Sequence, residues 1–99
     1  MRLTSEQIKI IKHCLYDVYG ENACVYLFGS RVNDTEKGGD IDLLIEVDTK
    51  GFATFENEFK LAGALQRALG PQKIDLISYV KGQPTNAIQQ QALLTGVQL

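Results

Sequence analysis

Residues 40–47 read "DIDLLIEV", and they constrain the fold more than any other stretch. Ile41, Leu43, Ile45 and Val47 fall on one side of an extended chain, and Asp40, Asp42, Leu44 and Glu46 on the other. A period of two over a β-branched run is a strand signature. Such a strand cannot stand alone: it needs neighbours to satisfy its backbone and a second layer to cover its apolar face. Two further segments qualify as neighbours. "ACVYLF" (23–28) is a short, nearly continuous apolar run, and "KIDLISY" (73–79) is rich in β-formers.

Helices fill the intervals. In "LTSEQIKIIKHCLYDVYG", Thr4 and Gln7 have capping-box spacing, Ile8, Ile11, Leu15 and Val18 share a face, and Gly20 ends the run. A second helix from Phe52 to Leu69 places Phe52, Phe55, Phe59, Ala62, Leu65 and Leu69 at helical spacing, closed by Gly70-Pro71. These phenylalanines are assigned to the core rather than to a base-stacking platform. A last helix follows "KGQP", with Thr85 or Asn86 as N-cap and Gly96 near its end. "GSRVNDTEKGG" is turn-rich, with one helical turn expected after Ser30. The order α-β-(short α)-β-α-β-α predicts an α/β (α+β) fold, a small mixed β-sheet with helices packed on it. The 99 residues amount to one domain, 1–99.

Composition narrows the partners. A formal charge of −2 gives no overall basic field, so direct nucleic-acid binding is not expected. No apolar run approaches membrane-spanning length and "MRLTSEQIKI" has no signal-peptide core, so a cytoplasmic chain with no membrane association is expected. Cys14 and Cys24 lack metal-ligand spacing and read as reduced core thiols. His13 shares a helical stripe with Lys9 and Asp17 and reads as solvent-facing, as does Glu46 at the far end of its strand.

The chemistry concentrates where polar residues interrupt apolar runs. Asp40 and Asp42 share a strand face with Cα atoms roughly 6.5–7 Å apart. Like charges that close need a cation between them, and Mg²⁺ takes carboxylate and substrate-phosphate oxygens together. Asp75 repeats the pattern inside "KIDLIS"; if the third strand pairs beside the second, it reaches the same place. Gly29 lets the chain turn sharply at the end of a buried strand. Ser30 adds a hydroxyl and free N–H groups, and Arg31 a guanidinium. An anion cradle facing a carboxylate set is what holds a nucleoside triphosphate for in-line attack at phosphorus.

"GSR", a nine-residue spacer from Arg31 to Gly39, "GGDIDLLI" and then "KIDLIS" together resemble the minimal nucleotidyltransferase (MNT) family of the DNA polymerase β-like superfamily. The resemblance covers nearly the whole chain and implies a polymerase β-like core. It implies Gly29, Ser30 and Arg31 as the phosphate-binding turn, and Asp40, Asp42 and Asp75 as catalytic metal ligands for two Mg²⁺ ions, with ATP as substrate. Asp75 would also help deprotonate the attacking hydroxyl. Family members are typically paired with a HEPN-domain toxin, often an RNase. The resemblance therefore implies an antitoxin, part of a hetero-oligomer, that transfers AMP to a hydroxyl (a Tyr) of that partner. Two other readings use the same residues: a non-catalytic antitoxin that covers its HEPN partner stoichiometrically, and a transferase acting on a small molecule such as an aminoglycoside. The second of these lacks an acceptor-binding domain in this sequence.

Overall fold

The computed structural model describes residues 3–29 and 40–99. The expected turn after Ser30 lies outside the described residues. Three helices, α1 (Ser5–Tyr19), α2 (Phe55–Leu69) and α3 (Ala87–Thr95), accompany four strands, β1 (Cys24–Phe28), β2 (Ile41–Val47), β3 (Ile74–Val80) and β4 (Val97–Gln98). The strands form one mixed sheet in the order β3-β2-β1-β4. β1 runs antiparallel to β2 and β4, whereas β2 and β3 are parallel, joined through α2 as parallel neighbours require.

Local signals set these boundaries. Thr4 accepts from the Gln7 N–H at 3.0 Å while the Gln7 side chain accepts from the Thr4 N–H at 2.9 Å, a closed capping box at the start of α1. Asn86 and Gln89 repeat it at α3, at 2.8 and 3.0 Å. The second helix begins later than its apolar spacing predicts. Lys50–Phe52 forms a separate 3-10 turn, and Thr54 caps α2 by accepting from the Asn57 N–H at 3.2 Å. β4 was not expected. It is two residues long, too short for any periodicity to reveal.

The central strand β2 is buried on both faces. Ile41, Leu43, Ile45 and Val47 meet Val25 and Leu27 of β1, Ile11, Leu15 and Tyr19 of α1, and Leu61 and Leu65 of α2. On the opposite face Leu44 packs with Tyr79 and with Ala92 of α3. The two long helices thus cover one face and α3 part of the other. Among the described residues, no helix is long and apolar enough to cross a membrane.

One assignment is overturned. Phe55 and Phe59 are 80% and 77% exposed and Phe52 lies mostly at the surface, whereas Leu61 and Leu65 of the same helix are fully buried. At 100° per residue the buried face of α2 lies roughly a quarter turn from the phenylalanine stripe. Cys14 is buried and Cys24 half-buried, both free, as expected. His13 is exposed beside Asp17. Glu46 is not simply solvated: it is half-buried and accepts a hydrogen bond from the Tyr79 hydroxyl.

The core makes a direct prediction. Leu43→Ala removes a fully buried side chain between the sheet and the long helices, at a cost of about 2–5 kcal/mol. Urea unfolding should show a lower midpoint with an unchanged slope.

Candidate active site

Three strand ends meet on the face that carries α3. β1 ends at Phe28, which stands opposite Asp42 of β2, and Asp42 in turn stands beside Asp75 of β3. Parallel pairing in this register puts the two carboxylates on the same face of the sheet in one row. The juxtaposition expected of Asp75 is therefore present. Asp40 lies just before β2, where the Ile41 N–H donates to the Lys73 carbonyl at 3.0 Å and ties the two strand starts together.

Burial grades across this group. Asp42, on an inner strand, is half-buried, while Asp75, on the edge strand, is exposed. The Asp42 carboxyl is pushed above the ordinary carboxylate range. Burial is the largest cause, followed by the charge of Asp75 and hydrogen bonding to it, then the charge of Asp40; Lys73 opposes them. Lys73 is the residue that sequence reasoning missed. Its Nζ lies 3.5 Å from Asp40 Oδ2, the lysine largely open to solvent and the aspartate half-buried. A signal was present in "KID": Lys73 sits two residues before Asp75, hence on its side of the strand.

Gly29 closes the site from the other side. Its φ is +78°, a conformation costly for any residue with a Cβ. A Cβ built there would lie 2.2 Å from Asp42 Oδ2, well inside contact distance. The positive φ calls for glycine, and its missing Cβ leaves room for the Asp42 carboxylate against the end of β1. Ser30 and Arg31, the other two members of the expected phosphate turn, lie outside the described residues.

The donor set suits a hard divalent cation. It offers only carboxylate oxygens, and the repulsion that disfavours the charged form of Asp42 is what a cation would relieve. Among the described residues, no three His, Cys, Asp or Glu side chains already converge as a finished metal site. The donor chemistry suits a divalent metal, but of the three ligands expected from the sequence only Asp42 and Asp75 come together, Asp40 being paired with Lys73.

The family model for "Polymerase beta, Nucleotidyltransferase" matches residues 9–99, which span every strand and all three carboxylates. No curated protein matches the chain.

Two predictions follow from this geometry. Without divalent metal, Asp42 favours its protonated form more in the folded than in the unfolded chain, so stability falls as pH rises from the ordinary carboxylate range through its raised value. Asp42→Asn should therefore raise the melting temperature at neutral pH, with the gain vanishing in acid, where both states hold the proton. Thermal unfolding at several pH values in EDTA measures it. Gly29→Ala should cost about 1–3 kcal/mol from the backbone alone, more once the Asp42 carboxylate is displaced, read by denaturant unfolding.

Proposed function

Because the chain belongs to the polymerase β nucleotidyltransferase family, we propose that it transfers AMP from Mg-ATP to a hydroxyl of a partner protein, a tyrosine of a HEPN-type toxin, and so serves as an antitoxin. Nucleotidyl transfer is the chemistry of the family. The acceptor, the nucleotide and the biological pairing are our reading, built on the resemblance of Gly29-Ser30, Asp40/Asp42 and Asp75 to the minimal nucleotidyltransferases. The observation that carries it is the Asp42–Asp75 pair set against a strand end where only glycine fits.

The roles divide by position. Asp42 is held by its inner strand and by the Gly29 turn, so it serves as the fixed ligand. Asp40 supplies the second carboxylate once it leaves Lys73. Asp75, exposed at the sheet edge, accepts the proton of the incoming hydroxyl. The hydroxyl oxygen forms the new bond to the α-phosphorus as the bond to the bridging oxygen of the β-phosphate breaks, and pyrophosphate departs with that electron pair. Two Mg²⁺ ions, held by Asp40, Asp42 and Asp75, would supply charge stabilisation to the attacking and leaving oxygens. Gly29, Ser30 and Arg31 would orient the phosphates. Lys73, released from Asp40, has a free cation to offer the same anion.

Intact mass spectrometry of a cognate HEPN-type partner, incubated with this protein, ATP and Mg²⁺, tests the proposal. A gain in whole AMP units is expected, and it should disappear with Asp40→Asn/Asp42→Asn. A partner that is silenced without gaining mass would instead identify stoichiometric binding, and an active double variant would sink the site assignment.

A further inference from the structure

The outer edge of β3 and the misassigned face of α2 form one surface. Phe55, Phe59 and Ala62 overhang the edge strand and, with Leu76, line an apolar trough beside Glu58. Its volume is about 160 Å³, the size of a seat for side chains; the adjoining cavity at Phe55, Glu58, Ile77 and Ser78 is larger, about 510 Å³. Two phenylalanines 80% and 77% exposed over an open strand form a contiguous apolar surface of the kind that invites a partner.

The strand beneath is open in its middle. The Lys73 carbonyl and the Lys81 N–H both bond to β2, so the odd-numbered residues of β3 turn their backbone groups inward and Ile74, Leu76, Ser78 and Val80 turn theirs outward. The Ser78 carbonyl accepts from Gln89 Nε2 at 3.2 Å and the Val80 carbonyl from the Gln83 N–H at 3.0 Å. Among the described residues, nothing bonds the outward N–H and C=O of Leu76.

We propose that a second copy of this chain covers this surface, pairing β3 with β3 antiparallel about a two-fold axis near Leu76. Three observations select this occupant. First, the geometry closes on itself. Strands pair at about 4.8 Å and packed helices stand 8–10 Å apart, so extending the sheet across β3 brings the two α2 helices, each packed near its own β3, into contact along the phenylalanine stripe. One symmetry operation covers both the open edge and the exposed rings, as a self-complementary interface must. Second, the rim is charge-balanced. Along α2 the stripe is flanked by both signs, Glu56 pairing with Lys60 at 3.5 Å and Glu58 standing beside the trough. An antiparallel α2 pair brings unlike members of that set together, whereas a surface built for a partner of one charge sign would carry the other. Third, the area is of the right order: two aromatic rings bury on the order of 300 Å² per copy, over a third of the roughly 800 Å² per partner of a standard interface. The two Asp75 carboxylates would stand diagonally about 7–8 Å apart. That repulsion acts between exposed groups and is screened by salt.

The inference rests on the edge strand and α2 rather than on the proposed reaction, and it is tested on the full chain alone without substituting Asp75. Sedimentation equilibrium across the micromolar range should give about twice the 11.0 kDa chain mass, and Phe55→Ser/Phe59→Ser should halve it while keeping the helical circular dichroism. Should that double variant lose its helical signal, Phe59→Arg, a single surface change that sets like charges at the contact, provides the same reading. Amide exchange at Leu76 and Ser78 should slow with rising wild-type concentration and not in the variant. A wild-type monomer throughout that range, a dimer indifferent to both substitutions, or a dimer without protection at those amides would each overturn the proposal.

Discussion

The pairing of Asp42 with Asp75 is the constraint around which the rest of the structure is arranged. Two carboxylates side by side in a sheet repel each other, and one of them is half-buried, so the arrangement opposes folding when no cation is bound. The fold withstands it because β2 is anchored elsewhere: its other face is wholly buried beneath α1 and α2, and Leu44, two residues along from Asp42, is sealed by Ala92 of α3. A strand held that firmly can carry an unfavourable residue at its first turn of the pleat. Parallel pairing adds a second requirement. It needs the long return through α2, and that return delivers β3 to β2 in the register that makes Asp75 the neighbour of Asp42.

Much of this was legible in the residues. The alternation of 40–47 announced a strand, the cap at Thr4 stands where its side-chain spacing put it, and of the two candidates Thr85 and Asn86 it is Asn86 that caps α3. The carboxylate row was legible too, because a two-residue spacing fixes which side chains share a face. What failed was the orientation of α2. Its sequence carries apolar residues around more than half its circumference, so Phe55-Phe59-Ala62 and Leu61-Leu65 both satisfy helical periodicity. Size and hydrophobicity favoured the phenylalanines. The decision is tertiary: α2 packs against both α1 and β3, and Glu58 is drawn over β3 by the Ser78 hydroxyl, which donates to it at 2.6 Å. With Glu58 fixed there, Leu61 and Leu65 turn inward and the rings turn out.

The same contact reaches further into the core. Tyr19, at the end of α1, is buried with its hydroxyl near this pair, and its pKa is pushed up to about 12, by burial first and by the charge of Glu58 second. A polar Glu58–Ser78 pair at the joint of α1, α2 and β3 therefore sets the roll of α2. An ordinary leucine at either position would fill space but would not select one roll over another, because hydrophobic contact is not directional and a hydrogen bond is.

This roll links the edge surface to the site. Along the row Phe28, Asp42, Asp75, the two inner residues are half-buried and the last is exposed, where β3 meets solvent. A group that must be held still belongs at the inner end, where packing fixes its rotamer. Asp75, on the edge strand, stands open to solvent, and the same edge leaves the strand's backbone and the α2 rings uncovered beside it. Charged side chains stand at Asp75 and just beyond the two ends of β3, at Lys73 and Lys81, while the outward backbone groups of Leu76 remain open among the described residues. The exposure of Asp75 and the open edge that invites a second strand are two consequences of one placement.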